Sequence, residues 1–365
     1  MRLRASGRIR LQASGFRPQG LLLLLLIWAC AQGRSQVRRV EITEPMVITA
    51  GPPQEVALGD LDDATLFDVG TRAFQAGDFE KAALYFDRLW SSFPVSTLRG
   101  PALWNAGLAH ERLSRDALAL ERFVKYIQFK NETDAQLHAA RAEFRLKLFP
   151  AAAQRLHELA ARPGLPVLTQ ASAIVQEGVC RIEGGSRAEG EILLREALEI
   201  YQNDREEPVD PALPAQAEFW LGEAFRGTFR EQKLDPLSMD AKGLADALER
   251  KAQFLLSAQG HYLRAIRRGD GEWATAAGYR IGEMYEEFHD QLLEAPPPRS
   301  LTLDQRALYQ QELRNKVRNL IEKAIRIYEQ TLATAERVGA QSGYVEKTQA
   351  ALERLRKLLL DAPQG

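Results

Sequence analysis

The chain has 365 residues, 45% hydrophobic and 27% charged, a balance that excludes a low-complexity polar chain and fits a folded soluble one. Its formal net charge of −1 gives nucleic-acid binding no electrostatic basis. With two cysteines, Cys30 and Cys180, it has no disulfide framework.

Residues 1–31 read as an export signal. Arg2, Arg4, Arg8, Arg10 and Arg17 precede the apolar run LLLLLLIWACA at 21–31, which is too short to cross a bilayer comfortably. Losing these five positive charges takes the net charge from −1 to −6. Two cleavages fit the same letters, with an uncleaved anchor as a third reading. Ala29 and Ala31 form a small-x-small site for ordinary signal peptidase. IWAC at 27–30 also resembles a bacterial lipobox, with Trp28 departing from the small residue usual there. That resemblance makes Cys30 a lipidation site. It also implies the outer membrane, because Ala31 is not the aspartate that retains lipoproteins in the inner one.

Residues 32–60 contain Pro45, Pro52 and Pro53 next to glycines and show no helical period, the pattern of a flexible tether. From Leu61 onward the pattern is helical. It is interrupted at RPGLP (162–166), NDREEPVDPALP (203–214) and APPPRS (295–300), where prolines stop helices. Alternating strand patterns are scarce, so the expected class is all-α.

Within the helical region one trio recurs. Gly70, Ala82 and Phe86 are followed 37 residues later by Gly107, Ala119 and Phe123. Ala140, Ala152 and Leu156, then Gly178, Gly190 and Leu194, keep the internal spacings of 12 and 4. Gly77 and Asp78 mark the turn of the first hairpin. Two later units stretch the middle: Gly222 pairs with Ala258 and Tyr262, and Gly282 with Ala324 and Tyr328, at small-to-small spacings of 36 and 42. Small residues let two antiparallel helices approach, and the ring four residues on is expected to cover the gap to the next hairpin. The expected organisation is four compact units over 61–202, two expanded ones over 203–341, and a capping helix and tail over 342–365.

These residues resemble the tetratricopeptide repeat. Gly70, Gly77, Phe79, Ala82, Phe86 and Pro94 match its pattern in the first unit, and Leu103, Gly107, Ala119, Phe123 and Tyr126 in the second, which closes on Asn131 instead of proline. The resemblance implies a superhelical array of about six antiparallel hairpins, an α-solenoid, that binds proteins, carries out no chemistry and needs no cofactor. SSFPVSTLRGPALWNAGLAHERL at 91–113 is further similar to the repeat junction of periplasmic tetratricopeptide lipoproteins in outer-membrane assembly, envelope-constriction and surface-motility complexes. It therefore implies a scaffold whose partners are other envelope proteins.

In such arrays the first helix of each hairpin lines a concave groove. On the first two units this selects Phe67, Thr71, Phe74, Trp104, Leu108 and Arg112, and on the last two Phe219, Glu223, Arg226, Tyr279, Glu283 and Glu286. Rings beside charges suit an extended peptide or a helix. Phe67, Phe74, Phe219 and Tyr279 equally suit core between repeats.

Other chemistry reads weakly. His110, His138, His157, His261 and His289 lack metal-ligand spacing. EGGSRAEG (183–190) falls at a hairpin turn, as does RGD (268–270), and NET (131–133) is a glycosylation acceptor only in a eukaryotic pathway. Cys180 reads as a small core residue. The competing classes are a soluble periplasmic accessory that binds glycan or regulates a cell-wall enzyme, and a glycan-cleaving enzyme, which would need a catalytic domain after the helices.

Overall fold

The computed structural model describes residues 61–203, 210–297 and 301–361. Among them lie thirteen helices and no strand. Six hairpins follow in order: α1 (Asp63–Gln75) with α2 (Phe79–Ser92), α3 (Arg99–Arg112) with α4 (Asp116–Phe129), α5 (Thr133–Arg145) with α6 (Phe149–Ala160), α7 (Val167–Glu183) with α8 (Arg187–Asn203), α9 (Ala212–Glu231) with α10 (Ala241–Arg268), and α11 (Gly271–Glu294) with α12 (Leu303–Val338). A single helix, α13 (Gly343–Asp361), packs on the last pair.

The first four hairpins turn in the same way. Gly77, Ser114, Lys147 and Gly185 take left-handed φ values of 81°, 55°, 60° and 93°. The next residue closes a six-to-one bond onto the helix just ended: Asp78 N to Ala73 O at 2.9 Å, Arg115 N to His110 O at 2.9 Å, Leu148 N to Glu143 O at 2.8 Å, Ser186 N to Arg181 O at 2.8 Å. This satisfies carbonyls that a helix end leaves orphaned. Asp78 then caps α2 by accepting from Lys81 N at 3.0 Å, a contact of the kind worth about 1 kcal/mol.

The recurring trio meets inside each hairpin. A Cβ placed on Gly70 would stand 2.9 Å from the Phe86 ring, one on Gly107 2.7 Å from Phe123, and one on Gly222 2.5 Å from Tyr262; Gly282 is equally blocked by Tyr328. Each ring therefore lies on the glycine of its own hairpin, a contact added to the expected one with the next, where Phe123 stacks on His138 of α5 at 5.0 Å. In the fourth unit Leu194 replaces the ring and the backbones come together, with a Cβ on Gly190 falling 2.6 Å from the Gly178 carbonyl oxygen. The third unit, with the smaller Leu156, tolerates Ala140.

Longer helices and longer connections together stretch the last two units. α9 and α10 have 20 and 28 residues, α11 and α12 have 24 and 36. Lys251, fully buried in α10, donates to the carbonyls of Phe229 at 2.5 Å and Gln232 at 2.7 Å, closing the end of α9.

Successive helices pack on one another from α1 to α13. First helices also touch where α1 meets α3, α7 meets α9, α9 meets α11 and α11 meets α13. At the third unit α5 meets α3 through side chains, His138 and Arg141 on Glu111 and His138 on Trp104.

Candidate functional site

In units one, two, five and six, a ring three residues before the signature glycine packs on the signature ring of the same hairpin. Phe67 lies 5.6 Å from Phe86, Trp104 5.5 Å from Phe123, Phe219 5.6 Å from Tyr262, and Tyr279 6.0 Å from Tyr328. These four groove candidates thus serve the hairpin core, Phe219 at 3% exposure entirely so. Among the other candidates of the first two units, the Thr71 hydroxyl donates to the Phe67 carbonyl at 2.8 Å, Phe74 packs edge-on to Phe79 at 5.2 Å, and Leu108 joins the cluster around Phe123. Arg112 is exposed, its guanidinium 5.8 Å from the Phe79 ring.

In the last two units the candidate charges satisfy one another. Arg226, 5% exposed, donates to Glu283 at 2.6 Å, to Glu287 at 3.1 Å and to Glu223 at 3.2 Å. Arg280 adds Glu283 at 2.8 Å and Glu223 at 3.1 Å, and the Tyr262 hydroxyl donates to Glu223 at 2.6 Å. Arg230 pairs with Glu287. Burial raises the Glu287 carboxyl, but Arg230 and Arg226 outweigh it and hold the group below its usual range. Glu286, 8% exposed, accepts from Tyr328 and Arg354, and burial outweighs both and pushes its carboxyl up. Phe219, Arg226 and Glu286, predicted to face a partner, are therefore buried. A buried, mutually paired ion network offers a partner little, because breaking it costs several kcal/mol, roughly 3–5, although Arg226 Nε and Arg280 Nε are left without a hydrogen-bond partner.

The first-helix layer is open at its third unit. A cleft of about 210 Å³ sits between α5 and α7, lined by Leu137, Ala140, Arg141 and Phe144 of α5, Leu156 of α6, and Ser172, Gln176 and Cys180 of α7. The third unit puts Leu137 and Leu156 where four other units put a pair of rings, and the fourth, with Val175 and Leu194, also lacks the pair. Applying to Ala140 the offsets −3, +1 and +4, which select every groove candidate above except Arg112, yields Leu137, Arg141 and Phe144, and at Gly107 the last of them gives Glu111 in place of Arg112. A larger depression of about 390 Å³ lies over the α12–α13 turn, away from this layer.

Beside the cleft, Glu111 of α3 accepts from His138 at 2.7 Å and Arg141 at 3.2 Å, and Arg145 lies 3.4 Å from it. Arg145 also bonds Asp116 at 3.3 Å. Burial raises Glu111, but His138 first and then Arg141 bring it down to about 2. The acids sit inside, with side chains 12% and 19% exposed, while Arg141 and Arg145 are 52% and 42% exposed. The Nη1 of each guanidinium bonds an acid.

The remaining motifs resolve into structure. Each of the five histidines has a carboxylate partner, at 3.0 Å for His110 with Asp87, 2.9 Å for His261 with Glu218, 3.3 Å for His157 with Glu177 and 2.9 Å for His289 with Asp290, besides His138. Among the described residues no group of three or more His, Cys, Asp and Glu is placed to hold a metal ion. Burial pushes the Cys180 thiol up to about 12, away from thiolate reactivity. Gly269 of the RGD triplet is the left-handed cap of α10, and its Asp270 caps α11 by accepting from Trp273 N at 2.9 Å. Cys30 and the rest of the amino-terminal expectations lie outside the described residues. No described helix is long and apolar enough to cross a membrane.

No family model matches the sequence, and no curated protein does. Similar solved structures include MamA, at 16% identity over 57% of this chain and 96% of that one with a TM-score of 0.39. PilF of Pseudomonas aeruginosa matches at 12% identity over 79% and 96% with a TM-score of 0.38, and apo RapI at 10% over 83% and 100% with a TM-score of 0.42. The fold assignment rests on the hairpins themselves and not on these likenesses.

Proposed function

We propose that this tetratricopeptide-like array is a non-enzymatic scaffold that holds protein partners through its layer of first helices. The observation that carries the reading is the contrast along that layer. Its charges are mutually paired and largely buried over α9 and α11, whereas over α5 and α7 a cleft of mixed polar and apolar lining lies open beside the half-exposed Arg141. An extended or helical segment is the ligand shape such a strip accepts.

The amino-terminal sequence supports an envelope setting. Its basic stretch, short apolar run and IWAC motif suit an exported chain anchored to the outer membrane through Cys30, with partners in a periplasmic complex. Mass spectrometry of the mature amino terminus tests the anchor: a diacylglyceryl-modified Cys30 is expected, and a free Gln32 refutes it. Cell fractionation separates the anchored scaffold from a soluble accessory, since only the former sediments with membranes and needs detergent for release. In vivo crosslinking followed by identification of the adducts tests the scaffold itself. Adducts with envelope proteins are expected, and their complete absence refutes the reading.

A further inference from the structure

We draw no further inference here: the strongest candidate, the apolar groove of about 220 Å³ that the second helices α10 and α12 leave over α11, walled by Leu263, Ile266, Ile281 and Ile327, carries none, because nothing in the structure shows what covers it.

Discussion

Replacing Gly107 by alanine tests whether the signature ring is what demands the glycine. The new Cβ would stand 2.7 Å from Phe123 Cε1, nearer than real side chains come. Phe123 cannot retreat, because it is fully buried with Trp104 edge-on at 5.5 Å and His138 stacked at 5.0 Å. Overpacking of this kind costs about 1–3 kcal/mol. Alanine regains about 0.5–1 kcal/mol of helix propensity, so G107A should destabilise by roughly 0.5–2 kcal/mol net. In the background of F123L the ring is gone, and the pair becomes the Ala/Leu found naturally at Ala140 and Leu156. There the same substitution should stabilise, by about 0.5–1 kcal/mol. Urea unfolding of the four proteins of this cycle, followed by far-ultraviolet circular dichroism, gives both numbers. A G107A variant as stable as the parent, or no change of sign in the F123L background, refutes the account of the trio.

Three further outcomes follow from the turns and the charges. Ser114 and Lys147 hold left-handed φ values of 55° and 60°. S114G and K147G should each stabilise by a few tenths to about 1 kcal/mol in the same urea assay, whereas G77A should cost about 1 kcal/mol. Glu111 has its folded pKa lowered to about 2 by His138 and Arg141. Its contribution is complete above the unfolded value near 4.5 and is lost as pH falls toward 2. E111Q should therefore lower stability by about 1–2 kcal/mol at pH 7 after solvent screening. Melting curves between pH 7 and pH 3 should show the gap to the parent closing below pH 4.5. R226A strips Glu223, Glu283 and Glu287 of a shared buried partner and should cost about 3–5 kcal/mol; a thermal melt within a degree of the parent would contradict the network.

The fold was legible because a hairpin of fixed length forces a fixed spacing between the residues where its helices meet. Gly70 with Phe86 and Gly107 with Phe123 announce the contact, and even the stretched pairs Gly222 with Tyr262 and Gly282 with Tyr328 do so across their inserted turns. What the spacing did not reveal was that a ring serves two contacts at once, as Phe123 does against Gly107 of its own hairpin and His138 of the next. Charge pairing was illegible for a related reason. Arg226 meets Glu283 and Glu287, 57 and 61 residues away, and only the stacking of α9 on α11 brings them together. The α5–α7 cleft was the least visible, because its walls, among them Leu137, Ser172 and Gln176, carry no motif.

A photo-crosslinking amino acid at Gln176, on the cleft wall, compared in living cells with the same group at Ile192, 66% exposed on the second helix α8, tests the central claim most directly. The account predicts protein adducts from position 176 and none from position 192. Adducts from 192 with none from 176 would place the partner on the other layer and contradict it.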